Sequence, residues 1–150
     1  MNCRSASITA ATPEQDVPAA HAGVVNLYDT PWLRLWKASM VRPLRFRDDD
    51  HGFTVLLRIE RGGRCPRHRG TGDVQSFSLK GYFITASDDL VEPGDFLLLP
   101  PGRDDRWQAA GDGPAVMLLV VDGALEILNS SGEVTERSTA CSIRRALQKI

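Results

Sequence analysis

Gly62-Gly63-Arg64-Cys65-Pro66-Arg67-His68-Arg69-Gly70-Thr71-Gly72-Asp73-Val74-Gln75, with Gly81 beyond it, and Gly94-Asp95-Phe96-Leu97-Leu98-Leu99-Pro100-Pro101-Gly102-Arg103-Asp104-Asp105-Arg106-Trp107-Gln108-Ala109 decide how this chain is built. Each opens on a glycine, followed after five residues by His68 in the first and by Pro100 in the second. Glycine and proline at such intervals are turn residues, and they bracket short apolar runs. Outward from these stretches the same texture continues. Trp32–Lys37, Met40–Arg47, Phe53–Glu60, Val74–Leu79, Gly81–Ala86, Phe96–Leu99, Arg106–Ala109, Val116–Val121 and Ala124–Leu128 read as strands. Turn clusters such as Arg61-Gly62-Gly63, Glu92-Pro93-Gly94-Asp95 and Gly111-Asp112-Gly113-Pro114 separate them. Many short strands with regular turns predict an all-β sandwich or barrel. Only Ser138–Ile150 reads as a helix, with a cap at Ser138 or Thr139 and cations toward its end.

The 150 residues, 42% hydrophobic and 25% charged, suit one domain with one core. Residues 1–22, rich in Ala, Ser, Thr and Pro, read as a flexible tail ahead of a domain over 23–150. No apolar run reaches the roughly 20 residues of a membrane span, and the N-terminus does not read as a signal peptide. A net charge of −1 gives no global field toward nucleic acid or anionic lipid. Cys3, Cys65 and Cys141 are odd in number and widely spaced, so no disulfide framework is expected and a cytoplasmic setting fits. Arginine outnumbers lysine 15 to 3. The trio Arg64, Arg67 and Arg69 reads as a solvated or subunit-facing edge.

The two stretches resemble the paired motifs of the cupin superfamily, written G-x5-H-x-H-x3–4-E-x6-G and G-x5-P-x-G-x2-H-x3-N. Aligned with Gln75 at the glutamate position, one residue is missing before Gly81. The run Pro66-Arg67-His68-Arg69-Gly70-Thr71-Gly72-Asp73-Val74-Gln75 is similar to the P-R-H-R-H-T-G-x-V-H fingerprint of the acetylacetone-cleaving and 2,4′-dihydroxyacetophenone dioxygenases. The resemblance implies a single-domain jelly-roll barrel (a double-stranded β-helix) with a short C-terminal helix. In that branch three histidines hold a non-haem iron or a similar metal. Here His68 stands at the first ligand position, Gly70 at the second and Asp105 at the third. A stable site needs three or more protein ligands. No metal cofactor is therefore expected, and weak Fe, Zn or Ni binding through His68 and Asp105 is the alternative. His21 and His51 read as solvated.

Such a barrel offers a mouth for a small molecule. His68, Asp105 and Gln75 are the candidate catalytic residues: an imidazole whose pKa a carboxylate raises, and an amide to hold a carbonyl or enolate oxygen. Period-two alternation adds Trp107 and Phe77 to the pocket, with Tyr82, Phe96 and the gap left by Gly70. The reading favours an enzyme of isomerase, cyclase or lyase type, acting without metal on a small carbonyl-bearing or aromatic substrate, in secondary metabolism. A dioxygenase with a rearranged site and a non-catalytic ligand-binding cupin are the alternatives. A homodimer is expected, with residues 24–47 in the interface because Trp32 and Trp36 lie on an N-terminal edge.

Overall fold

The computed structural model describes residues 23–47 and 50–149; the expected tail, with His21 and Cys3, lies outside them. Among the described residues thirteen strands form three sheets, followed by one helix. In chain order the strands are β1 (Leu33–Trp36), β2 (Ser39–Phe46), β3 (Gly52–Ile59), β4 (His68–Gly70), β5 (Val74–Lys80), β6 (Tyr82–Ile84) and β7 (Leu90–Val91). Then come β8 (Phe96–Leu99), β9 (Asp104–Asp105), β10 (Gln108–Ala110), β11 (Ala115–Asp122), β12 (Leu125–Leu128) and β13 (Val134–Ser138). The helix α1 is Ala140–Gln148. Every strand pairing is antiparallel, in sheets ordered β1-β2-β3-β11-β5-β8, β10-β6-β7 and β13-β12-β4-β9.

Alternation builds the core. On β11, Ala115, Met117, Leu119 and Val121 are buried while the residues between them are only half-buried. Phe53, Val55, Leu57 and Ile59 of β3 stand beside them in register, and Val74, Ser76 and Ser78 of β5 flank the other side. The two smaller sheets, with the step between β9 and β10, bring Phe83, Trp107, His68 and Leu125 against the same core. The turns hold because glycine can take positive φ: Gly62, Gly81, Gly94 and Gly102 have φ of 67°, 72°, 94° and 80°. Gly81 is also fixed by space, since a Cβ there would lie 2.1 Å from the Pro114 carbonyl oxygen.

The N-terminal segment folds back on its own chain. A 3-10 turn, Leu27–Asp29, is capped by the Asn26 side chain, which accepts from the Tyr28 N–H. Arg42 of β2 donates to the Thr30 carbonyl, and its guanidinium stacks 5.5 Å from the Tyr28 ring and 5.1 Å from the Trp32 ring. Trp36 is buried, and its indole donates to Glu136 on β13. Of the two tryptophans on which an interface over residues 24–47 was expected, Trp36 is thus covered intramolecularly and Trp32 is half-buried, while Val24 and Tyr28 stay exposed. At the other end Thr139 and Ser142 cap α1 reciprocally. Cys65 is a free thiol, whereas Cys141 is disulfide-bonded.

Candidate active site

β4 lies between β12 and β9, with His68 opposite Ile127 on one side and Asp105 on the other. His68 is 1% exposed. Its Nδ1 is 2.7 Å from the Pro66 carbonyl oxygen. A carbonyl oxygen only accepts, so Nδ1 carries the proton, and in the neutral ring Nε2 holds a lone pair. Nε2 is buried without a hydrogen-bond partner. Burial lowers the His68 pKa below its ordinary value, outweighing the Pro66 carbonyl and the charges of Asp105 and Asp104. The expected raising by a carboxylate is therefore corrected: desolvation of the imidazolium dominates.

Asp105 does orient a ring, but its partner is Trp107. Its Oδ2 accepts from the Trp107 indole N–H at 3.0 Å, and its Oδ1 accepts from the backbone N–H groups of Arg106 and Ala86, both at 2.8 Å. Trp107, completely buried, meets His68 edge-on with ring centroids 4.5 Å apart and planes at 79°. Its other neighbour is Phe83, at 5.1 Å. The order of contact is Asp105, Trp107, His68. Cys65 Sγ lies 3.8 Å from His68 Nδ1. Burial pushes this thiol up to about 12, with the Asp105 charge adding and the Ser39 hydroxyl opposing, so it stays protonated at neutral pH.

The structure brings His68, Asp105 and Trp107 together, but it separates Gln75 and the aromatic walls from them. Val74, Ser76 and Ser78 take the buried face of β5, and Gln75 and Phe77 take the other. Phe77 and Phe96 are cross-strand partners, 44% and 59% exposed, and Tyr82 is half-exposed on β6. Three of these four expected site residues, Gln75, Phe77 and its partner Phe96, are corrected for one physical reason; Tyr82, beyond the turn at Gly81, alternates with the buried Phe83 of β6. Only three residues, Thr71 to Asp73, link β4 to β5, so alternation turns Val74 inward. With Val74 at the family's glutamate position, six residues separate it from Gly81 and the motif closes; the residue that had seemed missing was the signal. Ser76 and Ser78, which sequence reasoning missed, present hydroxyls without partners on this buried face.

Gly70 leaves no gap for a substrate. A Cβ there would lie 2.5 Å from the Gly72 carbonyl oxygen and 2.6 Å from Val74 Cγ2. The three ligand positions of the resembled branch are thus His68, a glycine closed in by Val74 and the Gly72 carbonyl, and an Asp105 engaged with three donors. Among the described residues no three His, Cys, Asp or Glu side chains converge. This donor set does not fit the metal of the resembled branch. The arginines pair outside the core: Arg67 with Asp104, Arg69 with Glu126, and Arg64 with Gln108. Arg69 and Arg137 together hold the Glu126 carboxyl below the usual carboxylate range.

The barrel and this motif geometry define a cupin. Residues 20–126 match the family described as the ChrR cupin-like domain, and the chain belongs to that family. Solved structures agree on the fold. An RmlC-like cupin from Ralstonia eutropha is 20% identical, with 86% of this chain and 87% of that one covered and a TM-score of 0.76. An acetylacetone dioxygenase from Acinetobacter johnsonii is 12% identical over 87% and 93%, with a TM-score of 0.75. The polyketide cyclase RemF from Streptomyces resistomycificus is 15% identical over 79% and 84%, with a TM-score of 0.59. No curated protein matches the chain significantly.

Proposed function

We propose that this cupin is a metal-independent enzyme in which His68 is the general base toward a small carbonyl-bearing molecule. The observation that carries the reading is the imidazole itself: Nδ1 is tied to the Pro66 carbonyl, and Nε2 is buried and unpartnered. A neutral ring in that tautomer accepts a proton at Nε2. Abstraction of a proton next to a carbonyl places negative charge on the carbonyl oxygen. The partnerless hydroxyls of Ser76 and Ser78 are donors for such an oxygen. Return of the proton at another atom gives isomerisation; ring closure or loss of water follows from the same enolate. Trp107 packs against the imidazole edge, and Asp105 anchors Trp107, which makes Asp105 a positioning residue. That polyketide cyclisation occurs on a similar barrel supports the reading by analogy of fold.

The test is exchange of methyl protons for deuterium in acetophenone and 4′-hydroxyacetophenone, followed by proton NMR in D2O. The expected result is acceleration by the wild-type chain, unchanged by a chelator and lowered roughly 10²–10⁴-fold by His68→Ala. Equal acceleration by His68→Ala rejects the base. Chelator-sensitive exchange rejects the metal-independent reading in favour of a dioxygenase-like metal site.

A further inference from the structure

Resting on the reading of His68 as the base, we infer that the barrel interior takes an uncharged ketone bearing a second acceptor oxygen about 5–7 Å from the first, and turns carboxylates away.

The spacing comes from β4 and β5. Residues 71–73 turn the chain between them, and at the corner a Cβ on Gly70 would lie 2.6 Å from Val74 Cγ2. From this corner the buried positions run through Gly70 and His68 on β4, and through Val74, Ser76 and Ser78 on β5. His68 and Ser76 thus stand level, two residues out on each strand, and Ser78 is two further. His68, Ser76 and Ser78 are each 1% exposed, and the imidazole Nε2 and both hydroxyls are buried without a hydrogen-bond partner. Alternate residues of a strand are about 6.7 Å apart, more than twice the ~2.8 Å of an O–H···O bond. Two hydroxyls so placed are met most fully by two oxygens. Ser76, level with His68, takes the oxygen on which the enolate charge develops, and Ser78 takes the other. Ser39 is also buried and partnerless, but it stands on β2, with β3 and β11 between it and β5. It lies outside the reach of a small molecule held at β5.

The preference for an uncharged ligand follows from the groups around these hydroxyls. Among the described residues no lysine or arginine is buried. The buried Asp105 already accepts from three donors and repels a second anion. A carboxylate brought to Ser76 and Ser78 would find hydroxyl donors but no counter-charge, a costly state in an interior. The walls agree. Ser76 and Ser78 pair in register with Leu119 and Met117 of β11, both buried. Apolar walls with two donors suit a short methylene run between two neutral oxygens.

Methyl 5-oxohexanoate, the anion 5-oxohexanoate and 2-octanone are the probes. Each has one methyl ketone on a chain of similar length, and the second oxygen is neutral, charged or absent. Exchange of the methyl-ketone protons in D2O at pH 7 gives kcat/KM, and ligand-observed NMR titration gives affinity, for the wild type and for Ser78→Ala. In both readouts the ester should exceed the anion by at least roughly thirtyfold. The ester-to-octanone ratio should fall at least roughly fivefold in Ser78→Ala, which is what one hydrogen bond contributes net; the ratio cancels the greater hydrophobicity of octanone. The first comparison needs no variant, and Ser78→Ala removes only a buried hydroxyl without a partner. A smaller difference in either comparison overturns the inference. The base is judged apart. Binding in this pattern without exchange rejects His68 as the base and keeps the ligand class, whereas exchange of all three probes at like rates keeps the base and rejects the class. Neither binding nor exchange with any probe rejects both.

Discussion

Replacing Asp105 tests the arrangement around His68 most directly. In Asp105→Ala the fully buried Trp107 indole and the backbone N–H groups of Ala86 and Arg106 lose their acceptor. A buried donor left unsatisfied costs about 1–3 kcal/mol, and the two half-buried backbone donors recover part of their loss from water. The expected destabilisation is roughly 3–5 kcal/mol, a large share of the ~5–15 kcal/mol by which an ordinary domain is stable. Asp105→Asn is not a rescue. If its amide oxygen keeps the two backbone donors, its NH2 faces the indole N–H, donor against donor, at a cost of about 2 kcal/mol. Trp107→Phe removes the indole donor, so Asp105→Ala should cost about 1–2 kcal/mol less in that background. Urea denaturation of the four members of this cycle measures the coupling. Additivity within roughly 0.5 kcal/mol, or wild-type stability of Asp105→Asn, refutes the Asp105–Trp107 bond as the anchor.

Other outcomes follow from the same geometry. Elemental analysis after dialysis without chelator should find far less than one iron, zinc or nickel per chain, and Gly70→His with Asp105→His should lower the melting temperature without raising metal uptake, because the Cβ at position 70 meets Val74 and the Gly72 carbonyl. His68 has a folded pKa below its unfolded value near 6.5, so the unfolded chain binds more protons in that window; stability should fall as pH drops below 6.5, by at most about 1.4 kcal/mol per unit. Urea midpoints at pH 7 and pH 5 should show this and lose it in His68→Gln, since the lowered carboxylates Asp104 and Glu126 act in a more acidic range, below their unfolded values of 3.8 and 4.5. Cys65 has the opposite sign: its folded value near 12 lies above the unfolded 9, so stability should fall between pH 9 and 12, and Cys65→Ala should flatten that limb of the urea midpoints. Gly81→Ala combines positive φ with a Cβ against the Pro114 carbonyl and should cost well over 1 kcal/mol by the same assay.

The barrel was legible because turn chemistry is local. A glycine at positive φ and a proline at a strand end announce themselves in sequence, and the long alternating strands β3 and β11 read directly from their pattern. Strands β4, β7 and β9 were not read as strands, since two or three residues such as His-Arg-Gly or Asp-Asp carry no periodicity. β13, Val-Thr-Glu-Arg-Ser, is exposed at four of its five positions and is held by pairing with β12, which no local pattern reports. At the site, His68 and Trp107 were placed correctly in the interior. Gln75 and Phe77 were not, because one residue of loop length reverses every side chain of β5. The partner of Asp105 was out of reach for another reason: its acceptors serve Ala86, 19 residues away, and an indole aimed by the irregular step between β9 and β10.

The replaced ligand positions are filled in different ways. At position 70 a Cβ would lie 2.5 Å from the Gly72 carbonyl oxygen and 2.6 Å from Val74 Cγ2, so a histidine there requires both to shift. Asp105 is bound in a third direction, by three donors that fix Trp107 and the start of the loop after β6. His68 alone of the three ligand positions keeps an uncommitted lone pair in the interior. A core that has repacked around every other position, yet holds one imidazole with its Nδ1 fastened and its Nε2 bare, retains the part of the site suited to moving a proton.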